Sequence, residues 1–237
     1  MTQLKMVDQN LWIADDKLTL EKGFLPFSVP KVLGRCSIRM TVIRTNSGKI
    51  FIHSPISLSK GLEREIADLG EVEYIIGPNV MHNTFLSDWR KCYPNAEIFV
   101  APKASKRNFS LKLFPILDDG NPICPETFDQ QLVAGHRNYE TIFLHKQTRT
   151  LIATDMAYGI NRRADILEKI WLYSAGVRMP MGVTSYCRNK IFDNAAFKAS
   201  FQKVLAWEFD RVIMSHGEVL EKNAKRIFAD LWSREMQ

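Results

Sequence analysis

Apolar and polar residues alternate along several short segments of the chain, which is the pattern of β-strands with one buried face. Residues 37–44 follow it, residues 46–48 provide a turn, and the apolar run 50–53 returns beside them, so a hairpin is predicted. Further strands are predicted at residues 11–14, 72–76, 98–100, 127–134 and 211–215. Strands are therefore expected along the whole length of the chain.

Between the strands, apolar residues recur three and four positions apart, which is typical of helices with one buried face. Leu62, Ile66 and Leu69 have this spacing. Ser59 offers an N-cap before them, and Gly70 offers a stop after them. Further helices are predicted at residues 85–93, 163–175, 193–205 and 222–235.

The order of these elements predicts the fold class. Strand, helix and strand follow one another between residues 72 and 100, which favours a parallel pair joined by a crossover. Residues 17–34 and 103–126 contain prolines and are predicted to be irregular. No internal repeat or low-complexity linker interrupts the chain. We expect one α/β domain that spans residues 1–237.

The most informative segment is a predicted hairpin that pairs residues 141–145 with residues 150–154 about a polar turn. If the strands pair in this way, Glu140 lies opposite Asp155. His136 then lies just beyond the same open end of the hairpin. Three groups that can bind a metal or transfer a proton are thus predicted at one edge of a sheet.

Composition excludes several classes of protein. Of the 237 residues, 46% are hydrophobic, and no apolar run approaches the roughly 20 residues that span a bilayer. The first residues lack the apolar stretch of a signal peptide. The four cysteines are far apart and form no CxxC pair, so free thiols in a reducing compartment are expected. We therefore expect a cytoplasmic protein with no membrane partner.

The net charge of +6 and the isoelectric point of about 9.1 raise the question of an anionic ligand. Lys and Arg are spread through the chain, however, and the short clusters at residues 103–107 and 188–190 carry no recognisable nucleic-acid-binding signature. We interpret both clusters as solvated surface. A small-molecule substrate is expected rather than nucleic acid, and the positive net charge favours an anionic one. The oligomeric state stays open.

Three of the five histidines, His82, His136 and His216, lie in loops at the ends of predicted strands, and so does Asp155. Such loops commonly hold catalytic groups on a rigid base. Each histidine alone is more simply explained as a hydrogen-bonded loop residue. The four residues together favour a shared site. Structural hydrogen bonds explain the two remaining histidines, His53 and His145.

Imidazole and carboxylate groups are ligands that zinc, iron and manganese prefer, and catalytic sites keep a position open for water. Two or three of the histidines with Asp155 suffice for one ion, and Asp155 is then also a catalytic residue. Glu140 is either a general base, a partner that orients a ligand, or half of a surface ion pair. No Gly-rich phosphate loop and no GxSxG elbow occurs, which disfavours nucleotide-dependent and serine-hydrolase chemistry.

Two motifs of the chain match a known superfamily. A Gly-His pair at residues 135–136 is followed by a strand, a turn and a strand that ends in Asp155, and the last predicted strand ends in Ser-His-Gly at residues 215–217. With these motifs the sequence resembles the metallo-β-lactamase-fold superfamily over roughly residues 10–220. It is most similar to a divergent, largely uncharacterised branch known as a domain of unknown function.

This resemblance implies a fold and part of a site. The implied fold is α/β, an αββα four-layer sandwich of two mixed β-sheets flanked by helices. His136 and His216 are implied as metal ligands, and Asp155 is implied as the ligand that bridges two ions in the superfamily.

The chain departs from the superfamily after the strand at residues 72–76. The superfamily has HxHxDH there, whereas residues 77–83 read Gly-Pro-Asn-Val-Met-His-Asn. The divergent branch has a PNxxH pattern at this place, which implies that His82, together with Asn79, stands in for the missing ligands. Loss of most of the principal motif favours one metal ion over two.

Three functional hypotheses follow. The first is a hydrolase in which one zinc, iron or manganese ion, held by His82, His136, Asp155 and His216, activates water for attack on an ester, thioester, amide or phosphoester. The second is a ligand- or protein-binding module that has kept the fold and lost the metal. The third, prompted by the positive charge, is nucleic-acid binding.

Overall fold

The computed structural model describes residues 2–19, 35–106, 108–160 and 166–237 of the chain. Within them, the strands of the first sheet lie side by side in sequence order: β1 (Lys5–Asp8), β2 (Leu11–Thr19), β3 (Arg35–Arg44), β4 (Ile50–His53), β5 (Val72–Gly77) and β6 (Glu97–Val100). Strands β1 to β4 pair antiparallel, and β4, β5 and β6 pair parallel. The first sheet is therefore mixed.

The strands that follow are β7 (Phe128–Leu132), β8 (Thr141–His145), β9 (Thr150–Ile152), β10 (Tyr158–Gly159), β11 (Met181–Gly182) and β12 (Arg211–Ile213). The second sheet has the order β12-β9-β8-β7, with β12 and β9 parallel and the other pairs antiparallel. Strands β10 and β11 form a small antiparallel ribbon. Because β9 and β12 are parallel neighbours, the loops that follow them leave the sheet at the same edge.

The helices described by the structure are α1 (Lys60–Leu69), α2 (Leu86–Cys92), α3 (Ile166–Ser174), α4 (Ser185–Arg188), α5 (Asn194–Ala206) and α6 (Ala224–Met236). Two short 3-10 turns, Ala104–Lys106 and Phe109–Leu113, follow β6. The Ser59 hydroxyl accepts a hydrogen bond from the N–H of Leu62, and Asp193 accepts one from the N–H of Ala196. The predicted side-chain caps of α1 and α5 are confirmed.

Three apolar clusters arrange the sheets and helices in four layers. The inner cluster joins the two sheets and contains Phe51 of the first sheet and Phe143 of the second, whose ring centroids lie 5.4 Å apart. The outer face of the first sheet packs on α1 and α2. The outer face of the second sheet packs on α5 and α6. The αββα sandwich of two mixed sheets flanked by helices is confirmed.

Most predicted elements are present with shifted ends. The central hairpin has the predicted register, since His145 pairs with Thr150. Strand β2 pairs with β3 along its full length and reaches Thr19, so the prediction that the chain becomes irregular at Lys17 is wrong. The rest of that predicted irregular segment, residues 20–34, lies outside the described residues. Residues 161–165 lie outside them as well, so α3 is described from Ile166 onward.

Two further predictions concern the membrane and the thiols. Among the described residues, no helix is both long enough and apolar enough to cross a bilayer. Cys92, Cys124 and Cys187 are free thiols. The side chain of Cys36 lies outside the described residues.

Candidate metal centre

Three of the predicted site residues come together at one edge of the two sheets. His82 lies in the loop after β5, Asp155 lies after β9, and His216 lies after β12. One ligand atom from each residue lies within 4.8 Å of the other two. In the part of the chain that the structure describes, this is the group of His, Cys, Asp and Glu side chains able to hold a metal ion.

Both imidazole rings face the same carboxylate oxygen. The Nε2 atom of His216 lies 3.3 Å from Oδ1 of Asp155, and Nε2 of His82 lies 3.5 Å from the same oxygen. The three side chains are only 6–12% exposed. Donor–acceptor distances of about 2.7–2.9 Å are normal for an imidazolium and a carboxylate in a strong hydrogen bond, so these contacts are long. The arrangement is a largely buried group of two nitrogen donors and one oxygen donor.

The other nitrogen of each ring, Nδ1, is hydrogen-bonded to a residue in β3 or just after β4 of the first sheet. Nδ1 of His216 donates to the carbonyl of Ser37 at 2.7 Å, because a carbonyl only accepts. The neutral ring of His216 therefore carries its lone pair on Nε2, the atom that faces Asp155. Nδ1 of His82 lies 2.8 Å from the hydroxyl of Ser54, which is also 3.3 Å from the hydroxyl of Ser215. Such partners fix the orientation of metal-binding histidines.

The carboxylate of Asp155 is held by two neutral donors. The hydroxyl of Tyr158 donates to Oδ1 at 2.8 Å, and the side-chain amide of Asn79 donates to Oδ2 at 2.8 Å. Burial opposes ionisation of Asp155, but the charges and hydrogen bonds of His82 and His216 outweigh it and hold its pKa well below the usual value. Asp155 therefore faces the two histidines as an anion.

Asn79 organises the loop instead of supplying a ligand. Its side-chain oxygen accepts the N–H groups of Met81 at 2.7 Å and His82 at 2.9 Å. Its side-chain nitrogen donates to Asp155 and, at 3.1 Å, to Glu140. The amide oxygen that a metal would need is used by the backbone, so the implied role of Asn79 as a ligand is replaced by a positioning role.

Glu140 is an anchor for the backbone of the site. It is fully buried, and its two oxygens accept the N–H of Thr154 at 2.7 Å and of Asp155 at 2.8 Å. Its predicted position opposite Asp155 is thus confirmed. Burial, and then the charge on Asp155, raise the pKa of Glu140. A carboxylate whose oxygens face backbone donors is not placed to take a proton from water, so its predicted roles as a general base or in a surface ion pair are replaced by this one.

The structure does not bring His136 to the other three residues. His136 is fully buried, its Nε2 donates to the carbonyl of Cys187 at 2.9 Å, and its Nδ1 accepts the N–H of Asn138 at 3.2 Å. Burial lowers its pKa to about 4. Both nitrogens are therefore used in structural hydrogen bonds, and the predicted ligand set is reduced to His82, Asp155 and His216.

The physical reason lies in the residue before His136. Gly135 has a left-handed backbone with φ of +68°, and a Cβ atom there would lie 2.2 Å from the carbonyl oxygen of Asp193. The chain thus turns sharply under the start of α5, and His136 enters the core beside α4 and α5, 6.0 Å from the ring of Phe197. Spacing along the sequence does not reveal this turn.

Tyr158 is the site residue that the sequence analysis missed. Besides its hydrogen bond to Asp155, its ring stacks on that of His216, with centroids 5.0 Å apart and planes 11° apart. Its position three residues after Asp155, in the same predicted strand-end loop, was a signal that could have found it. Ser37 and Ser54, which orient the histidines, had no such signal because each is distant in sequence from the residue that it contacts.

Comparisons with known proteins agree with this fold. A family model described as a domain of unknown function, DUF4336, matches residues 29–116, which is less than half of the chain. No curated protein matches the chain.

Several solved structures are similar over nearly the whole chain. The metallo-β-lactamase DIM-1 is 12% identical with a TM-score of 0.63, over 98% of this chain and 97% of that one. A metallo-β-lactamase from Hirschia baltica is 11% identical with a TM-score of 0.61, over 97% of both chains. FIM-1 from Pseudomonas aeruginosa, in its mono-zinc form, is 10% identical with a TM-score of 0.59, over 99% of this chain and 96% of that one. The likeness shows that this chain has the metallo-β-lactamase fold.

Proposed function

Given the metallo-β-lactamase fold, we propose that the chain is a metal-dependent hydrolase whose site holds one ion through His82, Asp155 and His216. The observation that carries the proposal is the convergence of two imidazole nitrogens on one buried carboxylate oxygen. This convergence lies at the edge where loops from both sheets meet.

The donor set fits a metal ion on chemical grounds. The neutral ring of His216, the form that binds a metal, presents its Nε2 lone pair to Asp155, and a positive charge between the two groups removes the repulsion between the lone pair and the anion. Protonation of one ring supplies such a charge for one histidine, whereas a divalent ion serves both histidines and the carboxylate together. Two imidazoles and one carboxylate suit zinc, iron or manganese, and a mono-zinc form is known for FIM-1.

Three protein ligands leave a coordination position open, as catalytic sites require. A bound ion would supply Lewis acidity, which polarises a carbonyl or phosphoryl oxygen and makes water more acidic. The residues around the ligands would position them. Ser37 and Ser54 orient the two histidines. Asn79 and Glu140 hold Asp155 in place, and the hydroxyl of Tyr158 donates a hydrogen bond to its Oδ1. We propose an ester, thioester, amide or phosphoester of a small molecule as the substrate, and the net charge of +6 favours an anionic one.

The first experiment is the metal content of protein purified without chelator, measured by inductively coupled plasma mass spectrometry. About one equivalent is expected in the wild type, since the three donors suffice for one ion. His216→Ala and Asp155→Asn should contain almost none. His136→Asn is the matched control, because His136 is the histidine that resemblance assigns to the metal and geometry does not.

Loss of metal in His136→Asn, with unchanged circular dichroism, would contradict the proposed ligand set. Wild-type protein that contains no metal and resists loading with zinc, iron and manganese would remove the hydrolase proposal altogether. The second function, a ligand- or protein-binding module, would then be favoured. The sequence observation behind it is the replacement of HxHxDH by residues 77–83, which contribute His82 alone to the group.

A further inference from the structure

Residues 103–106 and 108–116, which follow β6 and contain the two 3-10 turns, are called the basic apolar patch here. Leu113 is 90% exposed and Phe109 is 79% exposed, which makes them the most exposed large apolar side chains in the part of the chain that the structure describes. Ile116 is 56% exposed. Side chains exposed to this degree project from the surface, so the patch is a protrusion and not the wall of a groove. Adjacent exposed apolar residues of this size mark an interaction surface.

The same segment is strongly basic. Lys103, Lys106 and Lys112 are exposed. No Asp or Glu occurs between Glu97 and Asp118. Within the described residues, none of the three lysines forms an ion pair. The charge is therefore available to an anionic partner.

The patch is built onto the core. Leu111 and Ala104 are each 1% exposed and belong to the apolar cluster on the outer face of the first sheet. The N–H of Val100 donates to the carbonyl of Pro115 at 3.0 Å, and the N–H of Leu117 donates to the carbonyl of Val100 at 2.8 Å. Phe109 and Leu113 are thus presented outward by a segment whose other face is packed and hydrogen-bonded.

We propose that the basic apolar patch docks the protein on anionic lipid membranes. Phe109 and Leu113 enter the boundary between headgroups and acyl chains, and the lysines contact the lipid phosphates and carboxylates, the combination that interfacial binding requires. This charge complementarity distinguishes a membrane from a neutral protein partner. Because β5 and β6 are parallel neighbours, the patch and the loop of His82 leave the first sheet at the same edge, so docking brings the candidate metal centre near the lipid surface.

A membrane explains the patch better than nucleic acid does. Sequence-tolerant binding of single strands uses successive aromatic rings as stacking platforms, whereas Phe109 is the one exposed aromatic residue among the described residues of the patch, and Leu113 and Ile116 are aliphatic. Aliphatic side chains that project into water gain most from entering an apolar phase. The membrane proposal replaces our interpretation of residues 103–107 as solvated surface, which considered charge without the exposed apolar neighbours, and our expectation of no membrane partner.

The test is co-sedimentation of the full chain with vesicles of phosphatidylcholine, with and without about 30% phosphatidylserine, in about 0.1 M salt. Wild type should bind the vesicles with phosphatidylserine. Lys106→Glu should weaken this binding at least about fivefold, and Leu113→Asn should weaken it about tenfold. Lys222→Glu and Met6→Asn, which change an exposed lysine and a 62% exposed apolar residue outside the patch, serve as matched controls.

Two results would overturn the proposal. One is sedimentation with phosphatidylserine vesicles that does not exceed sedimentation with phosphatidylcholine alone. The other is binding that Lys106→Glu weakens and Leu113→Asn leaves unchanged, because contact without insertion is then electrostatic only. In that case a parallel titration with a single-stranded oligonucleotide identifies nucleic acid as the partner if it binds more tightly than the vesicles and depends on Lys106.

Discussion

Asp155 is the residue on which the polar contacts of the candidate site converge. Its carboxylate accepts from Tyr158 and Asn79, and its backbone N–H is held by Glu140. Three side chains, from the loop after β5, the residue before β8 and the short strand β10 that follows β9, are thereby linked through one residue. Substitutions of the three partners should act on the metal through the position of Asp155, by amounts typical of groups that orient ligands.

Tyr158→Phe removes one hydroxyl and keeps the ring that stacks on His216. Because the lost group orients Oδ1 of Asp155, we expect metal affinity to fall at least about tenfold with little change in folding. Competition with a chromophoric chelator measures this affinity. Tyr173→Phe, at a half-exposed position on α3, is the control. Equal affinity in wild type and Tyr158→Phe would show that the hydroxyl does not position the ligand.

Glu140→Gln tests the anchoring role against the role of a general base. The amide keeps the shape of the carboxylate but turns an N–H₂ group toward a backbone N–H of Thr154 or Asp155, leaving a buried donor unpaired. We expect the free energy of unfolding of the metal-free protein to fall by about 2–3 kcal/mol in urea. The exposed Glu221→Gln should leave it unchanged. A stable Glu140→Gln variant that binds metal normally and has lost hydrolysis would restore the general-base role.

At the scale of elements, the path of the chain before β8 decides which histidine reaches the site. Gly135 packs against the N-terminus of α5, where its Cβ would lie 2.2 Å from the carbonyl of Asp193 and 2.7 Å from the N–H of Phe197. The turn needs a residue that tolerates both a positive φ and this contact, so the glycine fixes the approach of α5 to the second sheet.

Gly135→Ala should therefore destabilise the protein by roughly 3 kcal/mol or more, since α5 must move to admit a methyl group. Gly48→Ala is a matched control, because Gly48 also has a positive φ, +83°, but nothing lies within 4 Å of its would-be Cβ. It should cost about 1 kcal/mol. Urea denaturation compares the two variants, and equal losses would mean that backbone conformation alone, and not the contact with α5, determines the cost.

Elements with a strong local signal were predictable from the sequence. The helix capped by Ser59 and the hairpin about residues 146–149 carry their periodicity, cap and turn within a few residues. Strand β1, the ribbon of β10 and β11, and the four-residue α4 were not predicted, because each is short and is defined by its pairing or packing partner. The local pattern of apolar and polar residues does not show which distant segment a short element pairs or packs with.

At the scale of the whole molecule, the same limit applies to the site. His82, Asp155 and His216 could be proposed because each follows a strand, and parallel strands deliver their loops to a common edge. The contact of Ser37 with His216 joins the two sheets over 179 residues of sequence, and the contact of Ser54 with His82 joins two loops of the first sheet over 28 residues. His136 shows the converse: a motif can match while the backbone turns its side chain elsewhere.

Packing the two sheets together also buries two histidines outside the site, and this predicts an acid-sensitive fold. Burial, and then the charge of His82, lower the pKa of His53 to about 3, and burial lowers the pKa of His145 to about 4. In both residues Nε2 has no hydrogen-bond partner among the described residues. The rings pack on Phe143 and Phe128, so neither can be protonated without a cost.

The unfolded chain takes up a proton at each histidine below about pH 6.5, whereas the folded chain does so only near pH 3–4. Their contribution to stability is therefore complete well above pH 6.5 and is lost as the pH falls, by roughly 2.5 kcal/mol for each group down to about pH 4.5. Urea midpoints measured with chelator between pH 7 and 4.5 should fall steeply. His145→Gln should reduce the slope by about one group's share whatever its stability at pH 7, and an unchanged slope would mean that His145 is already charged in the folded protein.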